Sequence, residues 1–204
     1  SEDGDLAWLF LNQRCLHCTD AACVDVCPTG ALSYNPMGFV SYEGAKCNGC
    51  GYCSQFCPFG IPRLGQADTL SGEAKSSKCT FCQDRTTNGL APACAQTCPT
   101  GAIVYGERDE MVALGRQRVE ELKAKGRSEA RLYGETELGG LHQMYVLEAK
   151  ASLYGLPESP SYPVGATLRN VLKPVGNIAI GAALVGSVAA FFITRRNINM
   201  EEVE

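Results

Sequence analysis

The sequence lacks any long run of lysine or arginine. Its 18 basic and 22 acidic residues are intermixed, for a net charge of −4. A chain that tracks phosphates needs a basic patch or stripe, so nucleic-acid binding is not expected. Residues 1–106 have little apolar periodicity, so long helices are not expected there. The opening, SEDGDLAWLFLNQRC, has neither an initiator Met nor a basic n-region. The expectation is a processed start, or a sequence that begins partway along a longer polypeptide.

Two features stand out against those absences. Twelve cysteines all lie within residues 1–106. From Pro174 to Thr194, PVGNIAIGAALVGSVAAFFIT has no charge, and a helix of that length spans roughly 30 Å, a bilayer core. The expected organisation is a cysteine-rich domain over 1–106 and a helix with strands over 107–163 packing on it, ending in a linker. A membrane anchor over 164–204 completes it, with a transmembrane helix at 174–194 and a polar tail.

The segment CPTGAL at Cys27–Leu32 recurs as CPTGAI at Cys98–Ile103. After the first copy, ALSYNPMGFVSY reads as a hairpin turning at Asn35–Gly38; after the second, AIVYG reads as one strand. In 107–126, acids lie first, bases last, and Gly126 follows, as a helix prefers. Val112, Gly115, Val119 and Leu122 share one face, expected to pack on the cysteine domain. ARLYG and MYVLEAK read as strands, and the Pro- and Gly-rich 155–165 as the linker.

Three cysteine runs carry the chemistry. They are Cys15-x2-Cys18-x4-Cys23-x3-Cys27-Pro28, Cys47-x2-Cys50-x2-Cys53-x3-Cys57-Pro58 and Cys79-x2-Cys82-x11-Cys94-x3-Cys98-Pro99. The second has the C-x2-C-x2-C-x3-C-P spacing of bacterial ferredoxins. A cubane [4Fe–4S] cluster needs a thiolate at each of four iron corners. Three closely spaced cysteines on a tight loop reach three corners, and the cysteine before proline reaches a neighbouring cluster. On that rule Cys15, Cys18, Cys23 and Cys57 serve one cluster, and Cys47, Cys50, Cys53 and Cys27 the next. Gly49 and Gly51 suit a backbone that must curl close to sulfide. The expected fold is α+β: a ferredoxin-like tandem [4Fe–4S] domain of cysteine-rich loops and short hairpins, plus one C-terminal transmembrane helix.

Other readings exist for the same residues. Structural zinc uses C-x2-C pairs, but needs no third cysteine at x2 and no fourth before proline. Disulfides would suit a short secreted scaffold, not this spacing. His17 reads as a supporting donor or surface group beside four available cysteines, and His142 as structural. Lys46 and Lys78 each precede a first cysteine, and are either modulators of cluster potential or ordinary solvated lysines.

These runs, with GLAPACAQTCPTGAI, a basic-ended helix, GGLHQMYVLEAKASLYGLPESP and one C-terminal membrane helix, resemble the four-cluster electron-transfer subunits of the molybdopterin oxidoreductases. Within them the match is to the iron–sulfur subunit of respiratory formate dehydrogenase, over nearly the whole chain. The resemblance implies an electron-transfer subunit with no catalytic residue of its own. A large subunit would oxidise formate at a molybdenum or tungsten pterin site, and a membrane cytochrome b subunit would take the electrons to quinone. It also implies a cluster domain outside the cytoplasmic membrane, exported already folded on its partner's signal. Charge leaves the orientation balanced, with Arg169 and Lys173 before the span and Arg195 and Arg196 after it. Ala182, Gly186 and Ala190 make a small-residue stripe suited to close helix contact with the cytochrome partner. The alternatives are the equivalent subunit of a membrane hydrogenase or of a sulfur-compound or sulfoxide reductase, and, outside electron transfer, a metal-stapled assembly module.

The family has a further cysteine run, which comes first. Without one here, Cys79, Cys82, Cys94 and Cys98 either close on one cluster by themselves, or take partners from a longer polypeptide. The second is expected, because crossing is usual for a run that ends in Cys-Pro. Iron analysis of the native polypeptide checks it: about sixteen irons for four cubanes, against about twelve if Cys98 closes its own cluster.

Overall fold

The structure is a computed structural model that describes residues 8–65 and 74–197. The acidic opening and the end of the polar tail lie outside those residues. The chain divides into two units, Ser1–Pro163 and Val164–Glu204.

In the first unit the three cysteine runs fold alike. The residue before each second cysteine is left-handed: His17 at φ 48°, Gly49 at 72° and Phe81 at 58°. Such a residue curls the chain into the tight loop that a C-x2-C pair needs to share one centre. Each third cysteine is the second residue of a four-residue helix. These are α1 (Ala22–Asp25), α2 (Tyr52–Gln55) and, after α3 (Gln83–Thr86) in the third run's long insertion, α4 (Ala93–Gln96). Each fourth cysteine lies two residues beyond its helix. Four residues are far too few for a helix to persist alone, so tertiary contacts hold these turns.

The hairpin expected after the first run is β1 (Leu32–Tyr34) with β2 (Val40–Tyr42), antiparallel, Leu32 opposite Tyr42. Its turn closes through Gly38 N–H to Asn35 O at 2.8 Å, with Asn35 Oδ1 accepting from Met37 N–H at 2.9 Å. After the second run, β3 (Arg63–Leu64) pairs antiparallel with β4 (Ser76–Ser77). The strand expected in AIVYG is absent: residues 102–106 are not in a strand. Strand-prone residues need a ladder partner, and among the described residues this segment has none.

Helix α5 (Arg108–Ala124) buries Gly115 and Val119, but that face, expected to pack on the cysteine domain, meets instead the strands of the cysteine-free half, with Gly115 against Leu132. It packs against the antiparallel pair β5 (Arg131–Tyr133) and β6 (Tyr145–Leu147), the two strands expected there. A core of Leu16, Phe59, Tyr133, Leu141, Leu147, Ala151 and Leu156 joins the first two runs to the cysteine-free half, with Cys18 and Cys57 packed on it. The segment read as a linker is therefore docked at its start: Leu156 is buried and Tyr133 Oη donates to Pro157 O at 2.8 Å. A second small core of Ala21, Leu32, Val40 and Cys53 carries Cys23 and Cys27 on its flank.

The second unit is helix α6 (Val164–Asn197). It starts inside the segment read as linker, directly after Pro163, where the run of prolines ends. Its residues Pro174–Arg196, 23 in number, are long and apolar enough to cross a bilayer. Their apolar side chains, Ile178, Leu184 and Phe191 among them, are exposed.

A Cβ on Gly115 would stand 2.7 Å from Leu132 Cδ1. The variant Gly115→Val is expected to lose about 1–3 kcal/mol by overpacking, read as a lower midpoint in chemical unfolding.

Candidate iron–sulfur sites

Cys27, Cys47, Cys50 and Cys53 line one small cavity, together with Leu32, Tyr42 and Ser76. Hairpin β1–β2 and strand β4 wall it. Ser76 serves two of them, Cys53 at 23 residues' separation and Cys47 at 29. Its N–H donates to Cys47 Sγ at 3.4 Å, and its hydroxyl lies 3.3 Å from Cys53 Sγ. A Cβ on Gly49 would collide with the Ala74 carbonyl. Only glycine lets the Cys47–Cys50 loop lie against the β4 approach. Desolvation pulls Cys47 and Cys27 upward. It is outweighed by the Ser76 and Gly49 N–H groups at Cys47, and at Cys27 by the Leu32 N–H and the Thr29 side chain and N–H, so both lie below an ordinary thiol.

Cys15, Cys18, Cys23 and Cys57, the other set expected from spacing, influence one another electrostatically, and Cys79 of the third run also acts on Cys15. Burial raises Cys15, and raises Cys18 to about 12, with the charges of neighbouring cysteines adding to it; Cys23 is raised further for the same reasons. Cys57 acts electrostatically on all three. The loop is clamped from the second half of the chain: Cys18 bridges to Leu141, and Gln143 N–H donates to Leu16 O at 3.1 Å. The His142 ring lies against Gly38, where a Cβ would collide with it, and its Nδ1 donates to His17 O at 2.8 Å. A carbonyl only accepts, so that nitrogen carries the proton. His142 is structural, as its sequence context suggested.

His17 is 1% exposed, packed edge-on to Phe39 and Phe81. Val40 N–H donates to its Nδ1 at 3.1 Å, which puts the ring hydrogen on Nε2, a buried atom without a partner among the described residues. Burial, then the charge of Lys78, holds its pKa down to about 3.

The third run is arranged differently. Cys79, Cys82 and Cys94 open onto a groove of about 970 Å³ whose walls include Trp8, Phe39, Ile103 and Tyr105. Cys98 does not line it. Its sulfur accepts from Ile103 N–H at 3.4 Å and lies 3.5 Å from the Thr100 hydroxyl, and these two contacts bring its pKa down to about 7. The insertion is secured by Gln83, whose side-chain amide pairs with both the N–H and C=O of Tyr42 at 3.0 Å.

This donor set fits [4Fe–4S] clusters. Buried thiols that crowd one another ionise only where a cation shares their charge. Among the described residues, no three of His, Cys, Asp and Glu converge as a single ion requires. A spread of thiols around a cavity suits a group of several irons better than one zinc. Sequence reasoning missed the left-handed His17 and Phe81, and the roles of Ser76 and Gln83. The repeated position before each second cysteine was a usable signal for the first pair; for the second pair there was none.

The fold and its cysteine loops are those of an iron–sulfur protein. A family model described as 4Fe-4S dicluster domain matches residues 6–108, and the chain belongs to that family. It is 42% identical over its whole length to the formate dehydrogenase iron-sulfur subunit of Haemophilus influenzae, covering 65% of that protein. To the nitrate-inducible formate dehydrogenase iron-sulfur subunit of Escherichia coli K12 it is 41% identical over 92% of the chain and 64% of the relative. A hydrogenase-2 operon protein of E. coli O157:H7 is 29% identical over 80% of the chain and 56% of its own length. The chain spans less than two thirds of the relatives it matches.

Cys50 lines the first cavity and no other site described here. Changing it to Ser is expected to remove one cluster signal in electron paramagnetic resonance of the reduced protein, while sparing the signal of the neighbour. An unchanged spectrum would contradict its place as a ligand.

Proposed function

We propose that this chain relays single electrons through tandem [4Fe–4S] clusters, as the iron–sulfur subunit of a membrane formate dehydrogenase. The observation that carries the reading is the meeting of Cys27 with Cys47, Cys50 and Cys53 around one cavity. A cysteine before proline leaves its own run and joins the next, as two-cluster ferredoxins require. Cys57 answers it by lying within electrostatic reach of Cys15, Cys18 and Cys23.

When bound, the clusters supply the one-electron chemistry. The chain holds them close, shields them from water and sets their potentials. Cys79, Cys82 and Cys94 supply three corners of a third cluster, and Cys98 one corner of a fourth. The remaining ligands come from a further cysteine run, for which the longer relatives have room. No residue of this chain acts on formate. A separate molybdenum or tungsten subunit supplies the electrons, and a cytochrome b subunit in the bilayer receives them, with α6 as the anchor and the cluster domain on the extracytoplasmic face. The equivalent role in a membrane hydrogenase is the second reading, supported by the weaker likeness to the hydrogenase-2 operon protein.

The test is purification from membranes with native partners, followed by anaerobic addition of substrate. Formate is expected to reduce the clusters, and quinone to reoxidise them. Reduction by hydrogen but not formate would move the assignment to the second reading. Clusters that no physiological donor reduces would make them staples, not wires.

A further inference from the structure

The cavity lined by Cys27, Cys47, Cys50 and Cys53 is also lined by one tyrosine, Tyr42, the last residue of β2. Its backbone is held on two sides. It stands opposite Leu32 in the hairpin, and the Gln83 side chain of α3 pairs with its N–H and its C=O, each at 3.0 Å. The Tyr42 hydroxyl oxygen is buried, yet no group among the described residues stands at hydrogen-bonding geometry to it, although Cys47 is close enough to feel it. Tyr34, on the facing strand, shows the ordinary arrangement, with its hydroxyl accepting from Ala21 N–H at 3.0 Å. Ser76, the other polar group reaching into the cavity wall, is already engaged with Cys47 and Cys53.

A buried tyrosine hydroxyl normally finds a partner, and leaving it without one is costly. At neutral pH the group is protonated, and so it can donate. The space beside it is walled by thiols. We propose that Tyr42 donates a hydrogen bond to a sulfur of the [4Fe–4S] cluster held by Cys27, Cys47, Cys50 and Cys53, and thereby raises that cluster's reduction potential. Reduction adds one electron to the cluster, taken from the neighbouring cluster or from the titrant, and the added negative charge is shared by the sulfurs. A donor aimed at sulfur binds the reduced form more tightly than the oxidised form. The proton stays on the tyrosine oxygen throughout, so only an electron moves. Hairpin β1–β2 then does more than wall the site: the residue at its end is a positioning residue for charge, and Gln83 holds it there.

The hydrogen bond rests on the ligand reading proposed above, and Cys50→Ser tests that reading separately. In the complex isolated from membranes, cluster potentials are measured by redox titration followed by electron paramagnetic resonance, with Cys50→Ser identifying the signal of this cluster. Tyr42→Phe removes only the oxygen. It is expected to keep the iron and to lower the potential of that signal by about tenfold in the reduction equilibrium, about 59 mV for one electron. Electron–nuclear double resonance should show that the variant has lost one proton that is coupled to the cluster and exchanges with deuterated water. An unmoved potential with iron retained overturns the proposal, because the hydroxyl is then satisfied by water. An equal shift in Tyr34→Phe also overturns it, because disturbance of the hairpin is then the cause. Should Tyr42→Phe lose its iron, replacement of Tyr42 by 3-fluorotyrosine decides. That side chain keeps the shape and is the stronger donor, so the potential should rise; one that stays or falls overturns the proposal. If Cys50→Ser removes no signal from the wild-type spectrum, the ligand reading itself has failed.

Discussion

The fold depends on bringing thiols together where water cannot stabilise their charge. Burial alone raises Cys15, Cys18 and Cys23, and each neighbouring thiolate adds to the cost. Iron removes that conflict, because a thiolate bound to a cation no longer carries its full charge. The surrounding elements are too slight to gather the cysteines unaided. Helices of four residues and strands of two or three have no independent stability. Cluster assembly and folding of the three cysteine loops are in this sense a single event.

The cysteine-free half is part of that event. Leu141, His142 and Gln143 bind the backbone of the first run, and Arg108 at the start of α5 secures them by donating to Leu141 O at 2.7 Å. The four-residue stretch between Cys18 and Cys23, two residues longer than its counterpart in the second run, is held the same way, with Thr19 and Asp20 N–H groups donating to Gly140 and Leu138 carbonyls at 2.9 Å. An insertion in a ligand loop widens the range of sulfur positions, and a second layer of backbone bonds narrows it again. This explains why the likeness to formate dehydrogenase iron–sulfur subunits continues past the last cysteine.

The runs also differ in how they are finished. The first two are each followed by an antiparallel strand pair, and of their thiols Cys15 and Cys53 are buried while Cys50 is exposed. The third leads into a segment without a strand partner among the described residues, and three of its thiols, Cys79, Cys82 and Cys94, face an open groove with Trp8 at its edge. The same loop conformation thus occurs in two settings: beside a paired hairpin in the first two runs, and at the edge of an open groove in the third.

The sequence by itself determined the repeated loop. Spacing dictates which cysteines share a tight turn, Cys-Pro marks the one that leaves it, and an uncharged stretch from Pro174 marks the membrane-length helix. The hairpin at Asn35–Gly38 and the α5 face at Gly115 and Val119 were legible too, because turn chemistry and helical period are local properties. Whatever depended on a distant partner was decided by the tertiary structure. AIVYG has strand residues and no strand beside it. The supposed linker is docked through Leu156, and Ser76 reaches two thiols from across a hairpin. Lys46 and Lys78 occupy equivalent positions in the sequence, yet one lies in solvent against a carboxylate and the other between two carbonyls. A charge acts through distance and dielectric, and neither is written in the order of residues.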